Sequence, residues 1–267
     1  MRTKYNTLAL KYGTTSVTNE TGMDLDRIDY YSEQIRRALK EKVAKNILLT
    51  TSGSVAVGTL RWRKLRGDAP LPSAQTLAGM GSAGAHIAWL DALEDKGLPA
   101  EQVLLTHREI DDAKTKPFLD AAITDAFMHG VVVIQNENDV TSVDELARLA
   151  YGGENDGLAG HTAISSRADA LIIYTDVAGI LHKSGRLMDR IPYTDVAHAM
   201  ARRAVASAEE IASQNPKNGP LRKVNACIEV AGAAIPAHVA HAGTDFEAVL
   251  SGDVGSYFVA KAFSSVE

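Results

Sequence analysis

Lys11 directly follows the apolar run Thr7–Leu10 and is itself followed by Tyr12, Gly13, Thr14, Thr15 and Ser16. An ammonium beside a glycine turn, with hydroxyls after it, can offer a polyphosphate both a cation and backbone N–H groups without the longer P-loop spacing. A solvated lysine before a turn has the same local signature. Residues 50–54 read Thr-Thr-Ser-Gly-Ser, with Gly58 one helical turn on. Small hydroxyl and glycine residues let backbone approach a ligand closely, here through Ser52 and Gly53, although a plain βα turn looks alike. After Val131–Ile134 come Asn136, Glu137, Asn138 and Asp139, oxygen-bearing side chains suited to an ammonium or a magnesium ion. The group Gly152, Gly153, Glu154, Asn155 and Asp156 repeats the Asn-Asp pair beside glycines at the start of a helical pattern. Asp156 there can cap the helix. It can also hold lysines for phosphoryl transfer, in which a protein chiefly positions reactants and neutralises developing charge. Thr175 and Asp176 open a turn able to touch a base or ribose. Lys223, expected to open a helix after the loop Asn215–Arg222, can reach a β- or γ-phosphate or simply be exposed.

Other chemistries find less support. No Ser-His-Asp order and no metal-histidine spacing surrounds any of the eight histidines, and His107 and His161 are expected to have packing or surface roles. The single cysteine, Cys227, excludes an intramolecular disulfide and a thiolate metal cluster, and its apolar surroundings predict a buried thiol.

These segments need a scaffold that brings strand ends together. Short apolar runs alternate with helical periodicity, as in βα units feeding a parallel sheet. Strands are expected at 7–10, 46–50, 102–105, 131–134, 170–174 and 237–241, and helices at 24–42, 73–95, 116–129, 156–167, 195–213 and 223–233. The fold class is α/β, with ligands at the carboxyl ends of the strands. One domain of two lobes is expected, dividing near residue 150.

Hydrophobic residues make up 45% and aromatics 6% of the 267 residues, which suits helices packed closely on a buried sheet. The net charge of -5 supplies no general field for nucleic acid, and the basic stretch Arg61–Arg66 is short enough to be a solvated loop or helix end. Neither a signal-peptide pattern nor an apolar run of membrane-spanning length is evident. The chain is expected to be cytoplasmic, with no membrane or nucleic-acid partner.

Taken in order, the segments LKYGTTSVT (10–18), TTSGSVAVG (50–58), VLLTHREIDD (103–112), VIQNENDV (133–140), GGENDGLAGHTA (152–163) and ADALIIYTDVAGIL (168–181), with the late Lys223, resemble the amino-acid kinase family, and within it the glutamate 5-kinases. The resemblance implies a three-layer αβα sandwich around a central, mostly parallel sheet. Residues 1–150 would form a substrate-binding lobe and 151–267 a nucleotide-binding lobe. It implies that Lys11 and Lys223 contact the transferring phosphoryl group, that Asp156 holds both lysines, and that Gly13, Thr14 and Gly53 cradle phosphates. Ser52, Asp139 and Asn155 match acceptor-binding positions, and Thr175 with Asp176 the nucleotide loop. ATP and Mg2+ are the implied cofactors, L-glutamate the implied small-molecule substrate, and a homo-oligomer, dimer or tetramer, the implied assembly. The chain departs from the family's glycine-rich loop at 215–222, and with 267 residues it is expected to be a short form without the C-terminal RNA-binding-like domain of longer members. The competing expectations are a same-fold kinase of another small acid, and a nucleotide-binding regulator without turnover, which retention of Lys11, Asp156 and Lys223 disfavours.

Overall fold

The computed structural model describes residues 4–142, 155–207, 211 and 219–262. The expected lobe boundary near residue 150, the group Gly152, Gly153 and Glu154, and residues 215–218 of the departing loop lie outside them.

An eight-stranded sheet in the order β5-β6-β4-β1-β7-β9-β10-β8 forms the centre. Its strands are β1 (Tyr5–Tyr12), β4 (Ala44–Thr50), β5 (Ala100–Leu105), β6 (Val132–Glu137), β7 (Ala170–Thr175), β8 (Arg190–Ile191), β9 (Ala237–His241) and β10 (Ser256–Phe258). Every pairing is parallel except β9 with β10. A separate hairpin joins β2 (Thr18–Asn19) to β3 (Gly22–Met23).

The helices are α1 (Thr14–Val17), α2 (Leu25–Lys40), α3 (Ser54–Arg66), α4 (Ala74–Glu94), α5 (His107–Asp111), α6 (Lys116–Met128), α7 (Asn155–Ser165), α8 (Asp195–Val205), α9 (Gly219–Gly232) and α10 (Phe246–Leu250). Strand alternation divides them between the two faces. Leu8, Leu10 and Tyr12 of β1 join a core with Ile28 and Ile35 of α2, Trp89 of α4 and Phe246 of α10. Ala9 joins the opposite core with Ala159 of α7, Ala201 of α8 and Cys227 of α9. The sandwich therefore has three layers, as expected, and the Cys227 thiol is buried.

The helical hairpin of α3 and α4 was not expected as such, because 54–60 mixes small and β-branched residues. A non-local contact accounts for it. A Cβ on Gly58 would sit 1.8 Å from the Leu77 carbonyl oxygen, and one on Gly81 1.9 Å from that of Ser54. Only glycine lets the two backbones approach so closely. The basic stretch Arg61–Arg66 forms the end of α3, one of the two roles expected for it.

Two placements correct the sequence reading. Asn136 and Glu137 are not loop residues: they continue β6, paired with Leu104 and Leu105 of β5. Lys223 does not open its helix, because α9 already begins at Gly219. Among the described residues, no helix is long and apolar enough to cross a membrane.

Candidate active site

Lys11 occupies the penultimate position of β1, on the face opposite Leu10 and Tyr12, and is only 4% exposed. Its partner comes from far along the chain. The Lys11 Nζ lies 2.5 Å from Asp156 Oδ1, and the Lys223 Nζ donates to Asp156 Oδ2 at 2.8 Å. Asp156 sits in the first turn of α7, where the helix dipole also favours a negative charge. Burial alone would push its carboxyl up, but the two ammonium groups outweigh that and hold it below the ordinary carboxylate range. One carboxylate facing two ammonium groups leaves a net single positive charge in a largely dry setting. Such a centre attracts an anion.

A cavity of about 520 Å³ opens from this triad. Lys11, Gly13, Thr14, Ser52, Asn155, Asp156, Thr175, Asp176 and Lys223 all line it. The structure therefore brings together nine of the residues singled out from sequence. Gly53 and Asp139 are not among its lining. Gly53, at φ 106, lies beneath the β2–β3 hairpin, where a Cβ would stand 3.0 Å from Thr18 Cγ2 and 3.1 Å from Met23 Sδ. Asp139 is half-buried in the turn after β6. The Gly13 N–H donates to the Tyr174 carbonyl at 3.3 Å, which fastens the turn to β7. The N–H groups of Thr14 and Thr15, which begin α1, are those that a helix start leaves without an intrahelical acceptor.

Asn155 ties three segments together. Its Nδ2 donates to Ser52 Oγ at 3.1 Å, and its Oδ1 accepts from the Glu137 N–H at 3.1 Å. Behind it, Gln135 donates to Thr50 Oγ1 at 2.7 Å and to Thr162 Oγ1 at 2.5 Å, joining β6 to β4 and α7. Trp89 Nε1 donates to Thr51 Oγ1 at 2.7 Å. No role was read for these supporting groups from sequence, where Gln135 stands between the expected strand 131–134 and Asn136, and Trp89 inside the expected helix 73–95. Nor was one read for Ala204 and Val205, which line the cavity together with Gly179 and Ile180 of the turn expected to touch a base or ribose, and with Leu181. The φ of 150 at Gly179 and its approach to Ser256 leave no room for a side chain there.

His107 and His161 pack rather than lie on the surface. Their Nδ1 atoms are 3.1 Å apart, their rings stack, and His161 Nε2 lies 3.0 Å from Asp111 Oδ1. Burial, then the neighbouring His161, lowers His107 to about 4. Among the described residues, no group of three His, Cys, Asp or Glu side chains converges to hold a metal.

The description "Amino acid kinase family" matches residues 6–241 of the chain. A glutamate 5-kinase of Acinetobacter baumannii is 34% identical over 180 residues, 67% of this chain and 46% of that protein. A glutamate 5-kinase of Bordetella parapertussis is 34% identical over 206 residues, 76% of this chain and 52% of that one. The chain spans about half the length of these curated relatives. In fold it is similar to the carbamate kinase of Giardia lamblia bound to AMP-PNP, with a TM-score of 0.68, 15% identity, and coverage of 96% of this chain and 99% of that one.

Proposed function

This chain belongs to the amino acid kinase family, and on that premise we propose that it transfers the γ-phosphoryl group of ATP to the side-chain carboxylate of L-glutamate. The product would be L-glutamyl 5-phosphate, the first intermediate of proline synthesis from glutamate. The observation that carries this reading is the buried Asp156 carboxylate bridging Lys11 and Lys223 at the head of the cavity. The glutamate 5-kinase relatives support the choice of acceptor.

A carboxylate oxygen is already a nucleophile at neutral pH, so the step needs no general base. The oxygen forms a bond to the γ-phosphorus while the β–γ bridging P–O bond breaks, and ADP leaves with that electron pair. No proton moves. What the step requires is relief of repulsion between two anions, and Lys11 and Lys223 provide it from opposite oxygens of Asp156. Magnesium bound to the nucleotide would supply further charge neutralisation. Ser52 and Asp139 of residues 1–150, with Asn155 at the start of α7, would hold the acceptor. Thr175, Asp176 and the apolar end at 179–181 would receive the nucleotide on the side of residues 151–267, with Gly13, Thr14 and Gly53 shaping the phosphate path. The working protein would be a cytoplasmic homo-oligomer.

Hydroxylamine trapping tests the reading, because an acyl phosphate gives a hydroxamate whose mass identifies the acid. Glutamyl hydroxamate formed with ATP, magnesium and glutamate is expected. ADP release and hydroxamate with another acid, and none with glutamate, would replace the acceptor. The departure at 215–222 from the family's glycine-rich loop favours that second reading, a same-fold kinase of another small acid.

A further inference from the structure

A second cavity, of about 550 Å³, lies between α6 and α7 and shares no lining residue with the first. It opens toward the amino ends of the central strands. Its floor holds Thr7 near the start of β1 and Asn46 near the start of β4, whereas Lys11 and Ser52 stand at or just past the ends of those strands. Open parallel sheets bind their reacting ligands at the carboxyl ends, so this cavity is not an extension of the catalytic one.

Its chemistry is consistent around the wall. Leu119, Ile123 and Phe127 give an apolar side. At the floor, Asn46 is 7% exposed and donates through Nδ2 to Thr7 Oγ1 at 3.3 Å, while its Oδ1 has no hydrogen-bond partner among the described residues. Lys116 is already neutralised by Asp120 at 2.7 Å and tied to Ser165 at 2.6 Å. Lys45 and Arg167 also line the cavity and are exposed, and among the described residues neither has a carboxylate partner. Two exposed cations without a carboxylate partner among the described residues thus line one cavity, with Asp120 as its lining carboxylate and Asp169 accepting from the Thr7 N–H at its floor at 2.8 Å. Arg167 holds this place at a conformational cost. It follows α7 with φ 53, a left-handed position that usually falls to glycine.

We propose that the α6–α7 cavity is a second ligand site, for a small organic acid whose carboxylate meets Lys45 and Arg167 and whose apolar body packs on Leu119, Ile123 and Phe127. The inference is independent of the phosphoryl-transfer reading, and its test uses no turnover. With 4-bromobenzoate as the probe and the full chain, calorimetry is expected to show saturable binding, and a soaked crystal a bromine anomalous peak between α6 and α7. Lys45→Glu combined with Arg167→Glu should weaken binding at least about tenfold, the loss expected when a charge-assisted contact is reversed. The neutral 4-bromobenzyl alcohol should bind at least as much more weakly. Arg167→Gly separates a ligand role from a structural one, since it relieves the positive φ: the thermal midpoint should hold or rise while probe affinity falls. Absence of saturable binding, a bromine peak only beside Lys11 and Asp156, or unchanged affinity in the charge-reversed variant would overturn the proposal.

Discussion

Asp156→Asn tests the centre of the candidate site most directly, because it keeps the side chain's shape and removes only its charge. In the native protein a 2%-exposed carboxylate lies within 2.8 Å of two ammonium nitrogens. In the variant those ammonium groups face each other across a neutral amide, and breaking a buried ion pair in this way costs roughly 3–5 kcal/mol. For a chain of this size each kcal/mol lowers the melting point by about 2–4 °C, so a fall of roughly 6–20 °C is expected. Turnover should fall at least about 100-fold, the usual effect of losing a group that fixes electrostatic stabilisation of a transition state. The two losses should respond differently to nucleotide. An ATP analogue brings negative charge to the two cations left without their carboxylate, so it should raise the variant's melting point more than the native protein's. Scanning calorimetry with and without the analogue, together with coupled ADP release, measures all three effects. A variant that melts within a few degrees of the native protein and turns over at a similar rate would refute the charge argument, whatever the acceptor proves to be.

The other predictions draw on separate features. Lys223→Met should leave Asp156 paired with Lys11, so the fold should persist while kcat drops by about 100- to 1000-fold; near-normal kcat would remove Lys223 from the transfer step. For His107 the unfolded chain titrates near 6.5 and the native protein, through burial, at about 4. Between those values only the unfolded chain takes up the proton, so stability rises with pH across the window and is lost as pH falls through it, by up to about 1.4 kcal/mol per pH unit. Buried His238, also lowered to about 4, adds to the slope. Urea midpoints that do not move between pH 7 and pH 5 would contradict this. Gly81→Ala places a methyl group 1.9 Å from the Ser54 carbonyl oxygen, and forcing α3 from α4 should cost about 1–3 kcal/mol in urea unfolding; an unchanged midpoint would mean that the helices can separate freely.

What was legible in the sequence follows from how local each determinant is. Strand β9 was read over its full length, 237–241, because an apolar run between turns is its own signal. Strand β1 runs past the expected 7–10 to Tyr12, since Lys11 and Tyr12 keep pairing with β4 and β7 even though a lysine suggests a strand has ended. Asn136 and Glu137 misled in the same way: two polar side chains extend β6 because β5 lies alongside to bond them and Ser54 receives the Asn136 amide at 2.8 Å. Helix α3 depends on Gly58 and Gly81 meeting another backbone, which no window around residue 58 contains. The site shows the same divide more sharply. Lys11, Asp156 and Lys223 were each ambiguous alone, and only the order of the surrounding motifs suggested that residues 145 and 67 positions apart meet at one carboxylate. Gln135 lies inside one of those motifs, yet no role of its own could be read for it there. Its amide joins Thr50 to Thr162, so α7 is pinned to the strand that delivers Ser52, and Asn155 then binds Ser52 itself. The geometry around Ser52 and Asn155 therefore rests on a buried amide whose partners lie 85 and 27 positions away, which no local hydrophobic pattern can reveal.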